Sequence, residues 1–426
     1  MNGPSTGILL RRAEARLAAL VREEAVIAMH GPRTVGKSTL LRRFADRNEV
    51  DVVDLDDLVV RDAVAASPSV VIDATTPICI DEYPYVPQVL DALKARLNRE
   101  GVRPGVAVLT GSTRQDAVPR TAQALTGRLH SFVILPLSQG EIRGEHENLL
   151  SSLREDPAAT VAAHPTSSTA RGDYAALIAA GGFPLALQRT GSSRDRWFDD
   201  YVRSSIDRDA AELARVGQRE SLAALLSHLA SRTAQVLNIA SLADALQRNR
   251  KTLEGHLRLL EDLFLIVRLP AWGKTLNARA TGSPKAHMVD SGLAARLLRI
   301  GPEKLASLDP ATLTEFGHLL ETFVVGELRK QVSWLDESVT VGHWRTSDGD
   351  EVDLVVEFND GRVLAFEVKA GERVSGRDLA GLRKLRDRLG ARFVAGVALS
   401  LGSRSYTYEE RLHVMPVDRL WREVPG

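Results

Sequence analysis

Residues 24–48 read EAVIAMHGPRTVGKSTLLRRFADRN. An apolar run ending at His30 leads into Gly31-Pro32-Arg33-Thr34-Val35-Gly36-Lys37-Ser38, and a helix-spaced stretch beginning Ser38-Thr39 leads out. The eight residues match G-x-x-x-x-G-K-[ST] at every fixed position, in the strand–loop–helix context that the pattern needs. Gly31 and Gly36 let the backbone curl so that its N–H groups point at phosphate oxygens. The helix start adds partial positive charge there. Lys37 is expected to reach the β- and γ-phosphates and the Ser38 hydroxyl to ligate Mg²⁺. Residues 31–39 are therefore the expected cradle for ATP with Mg²⁺.

Working outward, short apolar runs alternate with helical patterns up to about residue 135: VDVVDLDD, PICIDE, GVAVLTGS and HSFVILPL. This alternation predicts an α/β fold with a parallel sheet covered by helices on both faces. Ile78-Cys79-Ile80-Asp81-Glu82 ends in two carboxylates. After a complete phosphate loop, the strand-end Asp81 is expected to hold Mg²⁺, and Glu82 to act as general base on the attacking water. In Leu109-Thr110-Gly111-Ser112, Ser112 is the first candidate to sense the γ-phosphate and Thr110 the second. Arg128, in Leu125-Thr126-Gly127-Arg128, is the candidate for transition-state charge, on its own or a neighbouring subunit's nucleotide, with Arg114 and Arg120 as competitors. An ordinary surface arginine is the plain alternative.

The chain of 426 residues balances 55 Lys and Arg against 55 Asp and Glu, which argues against wholesale polyanion binding but leaves room for a local basic face. A single cysteine, Cys79, excludes an intrachain disulfide framework and a cysteine-rich zinc site. No apolar run approaches the ~20 residues of a membrane span. The first twenty residues look like an arginine-bearing amphipathic helix and not a secretory leader. A soluble, cytoplasmic protein without a membrane partner is expected.

Four segments follow from the pattern: an ATPase unit over 1–145, a polar linker or loop over 146–172, a helical module over 173–300, and a further α/β unit over 301–426. The stretch EHENLLSSLREDPAATVAAHPTSSTARGD predicts an exposed linker by its Ser, Thr, Ala and Pro content. Ser241–Leu246, a turn at 247–249 and Arg250–Arg258 have helix-turn-helix spacing, and strand patterns follow, so a winged helix is expected. Arg248, Arg250, Lys251 and Arg258 would face phosphates if DNA binds there, although Gly255 weakens the second helix and such modules often make protein contacts instead. In the last hundred residues Asp353 opens the strand VDLVVEF, and Glu367 and Lys369 share one face of the next. Asp followed by E-x-K is the PD-(D/E)xK nuclease pattern, in which two carboxylates hold a metal ion and a lysine serves the water. Glu321 or Glu327 on the preceding helix would complete such a site, while an ion-pair ladder is the plain reading of E-x-K. Arg383, Lys384, Arg386, Arg388 and Arg392 on a later helix would suit a phosphate backbone or simply a solvated face.

The motifs GPRTVGKSTL, ICIDE, LTGST, LTGR, ILPLSQGEI, GGFP (181–184), SIDRDA (205–210), KAHMVDSGLAA (285–295) and LLETFVVGELRKQ (319–331) occur in this order along nearly the whole chain. Together they resemble the bacterial and archaeal AAA-type ATPases that carry a C-terminal domain of unknown function. The resemblance implies an additional-strand P-loop ATPase core, then a winged helix, then a restriction-nuclease-like α/β domain. The expected activity is ATP hydrolysis with Mg²⁺, coupled to a nucleic-acid or protein partner. A nucleotide-gated DNA nuclease and a non-hydrolysing scaffold are the alternatives, and DNA and a second copy of the chain are the partners to test.

Overall fold

The computed structural model describes residues 9–114, 125–209, 219–273, 282–346 and 348–425. The phosphate-loop segment lies in a five-stranded sheet made of β1 (Val26–His30), β2 (Val52–Asp54), β3 (Ile78–Asp81), β4 (Ala107–Gly111) and β5 (Leu129–Val133), in the order β2-β3-β4-β1-β5. Every neighbouring pair is parallel. Parallel strands need both faces covered, and β1 shows how the sequence meets that need. Val26 and Ala28 enter one core cluster, while Ile27 and Met29 enter another on the opposite face. The period of two in a strand splits a continuous apolar run between two cores.

Two helices, Ile239–Ala245 and Arg250–Asp262, lie between the first and second strands of an antiparallel sheet of β6 (Gln235–Val236), β7 (Ile266–Leu269) and β8 (Lys285–Met288), in the order β6-β8-β7. Asn238 and Asn249 cap the two helices by accepting from Ser241 N (3.0 Å) and Thr252 N (2.8 Å). The second helix buries Leu253, Leu257 and Leu260 and leaves Gly255 on its exposed side, so the glycine interrupts no packing.

The C-terminal sheet contains β9 (Val339–Arg345), β10 (Glu351–Phe358), β11 (Val363–Lys369), β12 (Phe393–Ser400), β13 (Tyr406–Glu409) and β14 (Leu412–Pro416), in the order β13-β14-β12-β11-β10-β9. The β9–β10, β10–β11 and β13–β14 pairs are antiparallel, and the β11–β12 and β12–β14 pairs are parallel. The long helix Pro310–Ser333 packs on one face through Phe316, Leu320 and Phe323. The helix Ala380–Leu389 covers the other through Leu382 and Leu385.

The expected linker over 146–172 is corrected by the structure. Leu149–Glu155 and Pro157–Ala163 are helices, and Leu149, Leu150, Leu153 and Val161 are buried in the largest core cluster. Asp156 caps the second by accepting from Ala159 N at 2.9 Å, with Pro157 at its first position. Further on, Thr166 bridges to Arg404, so the segment is stitched to the C-terminal sheet. Its four large apolar residues find a core against distant C-terminal elements, the long helix among them, which its polar composition concealed.

Several of the quoted motifs meet at one junction. Gln139 N, in LSQGE, donates to Glu327 Oε2 of the long helix at 2.8 Å. Lys330 Nζ donates to Leu137 O at 3.0 Å and to Glu327 Oε1 at 2.6 Å. Gly182 of GGFP donates its N–H to Asp290 of MVDSG at 2.7 Å, and Leu137 N donates to Gly182 O at 2.8 Å. A Cβ on Gly182 would stand 2.3 Å from Leu137 O, and one on Gly181 would stand 2.2 Å from Asp290 Oδ1. Close backbone approach explains both glycines.

Candidate functional site

The phosphate loop leaves β1 at Gly31 and enters the helix Lys37–Arg47 through Gly36, which is left-handed (φ 96°), as is Thr34 (φ 60°). These dihedrals curl the chain in the manner of an anion-binding nest. A Cβ on Gly31 would stand 2.1 Å from Ile134 O, so only glycine fits beneath the chain that extends β5. Lys37 is buried, and its Nζ donates to Gly31 O (2.9 Å) and Pro32 O (2.8 Å), inside the curl. Ser38 and Thr39 follow in the first turn, and Ser38 is half-buried.

The strand order places β4 between β1 and β3, and the polar ends of β3 and β4 bond to each other. The Thr110 hydroxyl donates to Asp81 Oδ1 and accepts from Glu82 N at 3.1 Å. Ser112 N donates to Glu82 Oε2 at 3.1 Å. Asp81 and Glu82 are only 2% and 7% exposed, and Glu82 turns the chain with a left-handed φ of 53°. Burial raises the Glu82 pKa above the ordinary carboxylate value, against the opposing pull of the Lys37 and Arg33 charges. That effect places Lys37, Arg33, Asp81, Glu82 and Ser112 in one electrostatic neighbourhood. Thr110, ranked second from sequence, is the hinge of this arrangement: it holds the carboxylate of one residue and the N–H of the next.

Arg128 is not brought to the loop of its own chain. It stands just ahead of β5, whose first residue pairs with Val26 at the end of β1 remote from His30, and its Nη1 donates to Asn98 Oδ1 at 2.6 Å. Arg114 ties the end of β4 to the middle module: its N–H donates to Asp262 O at 3.2 Å, and its guanidinium lies 3.8 Å from Glu261. Arg120 lies outside the described residues. Cys79 is buried in β3, and burial pushes its thiol up to about 12.

Arg11 was missed by sequence reasoning. Its guanidinium donates to Val35 O within the phosphate loop, to Leu135 O at 2.7 Å and to Glu141 Oε1 at 3.0 Å. It thereby ties the loop to the LSQGE segment that contacts the long helix. An arginine directly after an apolar run, in an arginine-rich segment, carries no local signal of that role.

The second expected constellation also assembles. Asp353 lies one step beyond the Leu354–Phe366 pair, opposite Glu367, and its Oδ2 accepts from Val368 N at 2.9 Å. Lys369 Nζ pairs with Glu367 Oε1 at 2.8 Å, as an ion-pair ladder would. Glu321 joins from the long helix, whereas Glu327 belongs to the junction with Gln139 and Lys330. Sequence reasoning missed Lys285, in β8, and the role of Glu351. The Lys285 ammonium contacts Glu321 Oε1 (2.8 Å), Asp353 Oδ1 (2.8 Å) and Glu351. Burial opposes its charge, but Asp353, Glu321 and Glu351 outweigh that and raise its pKa. Burial and then the Asp353 charge push Glu367 up to about 8 and Glu321 well above its ordinary value. Among the described residues, no three His, Cys, Asp or Glu side chains form a metal-holding group.

The basic surfaces differ from one another. Arg248, Arg250, Lys251 and Arg258 are exposed. On the later helix, Arg383 pairs with Glu409 (2.5 Å), Lys384 with Asp350 (2.5 Å) and Arg386 with Asp387 (3.0 Å), while Arg392 beyond it pairs with Glu357 (2.6 Å). That row is largely matched by acids. Trp272, Trp344 and Trp421 are buried in core clusters, so they offer no stacking platform.

Against known families, residues 23–143 match an AAA domain, 171–304 match a domain of unknown function (DUF8612), and 316–420 match another (DUF4143). The chain is 26% identical over 370 residues to uncharacterized proteins of Mycobacterium bovis and Mycobacterium tuberculosis, covering 84% of this chain and 73% of each relative. Among solved structures it is similar to a Walker-type ATPase of Pyrococcus abyssi at 15% identity, with 70% of this chain and 98% of that chain covered and a TM-score of 0.43. The Thermotoga maritima RuvB Holliday junction branch migration motor matches at 16% identity, with 62% and 90% covered and a TM-score of 0.28. The AAA match and the parallel five-stranded sheet agree on a P-loop ATPase-like domain. No helix among the described residues is long and apolar enough to cross a membrane.

Proposed function

We propose that the chain binds ATP with Mg²⁺ at residues 31–39 and hydrolyses it, using Glu82 as the base. The observation that carries this reading is the bonded set Asp81–Thr110–Glu82–Ser112 at the ends of β3 and β4, with β4 directly beside β1. Lys37 offsets the β- and γ-phosphate charge, and the loop N–H groups orient the chain of phosphates. Ser38 and Asp81 supply the hydroxyl and carboxylate oxygens that suit Mg²⁺, which would add Lewis-acid charge at the transferring phosphoryl group. Glu82 accepts the proton of the attacking water, and its raised pKa makes it a stronger base than a solvated glutamate. Ser112 N holds the Glu82 carboxylate in position. Steady-state turnover and binding of a fluorescent ATP analogue test the assignment. Lys37→Ala is expected to lose both, and Glu82→Gln to retain binding while turnover falls by about 10²–10⁴-fold. Turnover of a Lys37→Ala, Glu82→Gln double variant equal to wild type would sink the reading.

A second reading concerns the remaining units. The helix pair 239–262 with its antiparallel strands has the order of a winged helix, and the exposed Arg248, Arg250, Lys251 and Arg258 support contact with DNA phosphates. The pairing of Asp353 with Glu367 and Lys369 supports a nuclease-like sheet at the C-terminus. Coupling of ATP turnover to such a partner has a physical route in the polar junction from the phosphate loop through Arg11, Glu141 and the LSQGE segment to Glu327.

A further inference from the structure

The acidic cluster between the middle and C-terminal units holds a lysine where a metal ion would be expected. Lys285 is 2% exposed, and its ammonium is enclosed by Glu321 on the long helix and by Glu351 and Asp353 on β10. β8, which carries it, belongs to a different sheet from β10. The two sheets are fastened beside it: Trp272 N donates to His343 O at 2.6 Å and His343 N donates to Pro270 O at 2.9 Å. A lone buried ammonium is expensive, and three carboxylates in contact are a dense counter-charge for one cation. Counting Glu367 and Lys369, four carboxylates face two ammonium groups. The spare acceptor capacity is concentrated at Glu367, whose Oε1 takes Lys369 while Oε2 is buried with no hydrogen-bond partner among the described residues. Glu367 is 8% exposed and stands across the strand pair from Asp353, so its bare oxygen belongs to the same cluster.

We propose that Glu321, Glu351, Asp353 and Glu367 form a divalent-cation site that the chain keeps shut with its own cation, Lys285, so that metal and lysine exclude each other. Hard carboxylate oxygens in this number suit Mg²⁺ or Mn²⁺. With β8 docked, the ammonium satisfies three of the four carboxylates, and a metal would have to displace it. Withdrawing β8 would leave the buried carboxyls without their ammonium, open to protons or to a divalent ion. The inference rests on the nuclease-like reading for the sheet geometry only. Its test reads metal binding and not cleavage, so the two fail separately.

The experiment uses the full chain without nucleotide and titrates Mn²⁺ alone, followed by electron paramagnetic resonance and by thermal unfolding against an EDTA control. Wild type is expected to bind no Mn²⁺ through this cluster and to unfold at the same temperature in both buffers. Lys285→Ala is expected to gain one Mn²⁺ and a midpoint raised by several degrees over EDTA. Adding Asp353→Asn to Lys285→Ala should abolish both gains. Lys285→Met, which keeps the aliphatic stem, carries the same readout where the alanine variant folds poorly. Binding by wild type that Asp353→Asn removes would overturn the proposal. So would lysine variants whose folding and metal binding are indifferent to Mn²⁺.

Discussion

At the scale of single residues, the environment of Glu82 bears most directly on the proposed hydrolysis. Its carboxylate is buried, accepts from Ser112 N, and lies within the field of Lys37. A general base works only when ionised, and burial raises the pH at which Glu82 takes up a proton. The turnover rate is therefore expected to fall on the acid side, with the fall beginning above the ordinary glutamate range. A pH–rate profile under saturating ATP checks this, and Glu82→Gln should lack that acid limb at its low residual rate. The pairing of Glu82 with Asp81 at the end of an apolar strand was legible in sequence, because the two acids are consecutive and follow a complete phosphate loop. Arg11 and Lys285 were not, since each acts on partners more than twenty residues away.

At the scale of elements, the segment after β5 connects the nucleotide site to the long helix. Ser138 caps Gln139–Arg143 in a full capping box with Glu141. Behind it lies Glu147, whose carboxylate accepts from Ser138 Oγ (2.9 Å) and Gly140 N (2.8 Å). Burial, and then the Glu327 charge, push Glu147 up to about 8. A carboxyl raised in the folded state stabilises it fully below its unfolded value of about 4.3 and loses that contribution as pH rises toward the folded value. Thermal midpoints should accordingly fall between about pH 5 and pH 8, and Glu147→Gln should flatten the slope. An unchanged slope in the variant would assign the pH dependence to another group. The misread linker belongs to this scale too. The 149–163 stretch forms two short helices whose leucines and valine are apolar enough to bury, but the surface that covers them comes from the distant C-terminal sheet and long helix.

Across the whole molecule, one apolar cluster runs from the N-terminal helix and β1, through the middle module, to the long helix and β12. The ATPase-like sheet thus shares one of its two faces with the other units. Such sharing predicts that the units unfold together. Thermal melts followed by far-ultraviolet circular dichroism, by tryptophan fluorescence and by bound nucleotide are expected to coincide. Separate transitions would show that the modules are energetically independent. The same continuity gives the junction of Gln139, Glu327 and Lys330 its place between phosphate loop and acidic cluster, because the long helix bears both Glu327 and Glu321.

The sequence by itself determined the phosphate loop, because such a loop is built from consecutive residues whose dihedral and donor requirements are local: glycines at 31 and 36, lysine at 37, hydroxyl at 38. It also determined the alternation of strands and helices, since burial on two faces is written into each short apolar run. Strand order, the end of the sheet at which Arg128 stands, the docking of the 149–163 helices and the seating of Lys285 among three carboxylates were decided only by the tertiary structure. Each depends on partners far apart in the chain, and a charged side chain signals nothing about its counter-charge until the fold brings the two together.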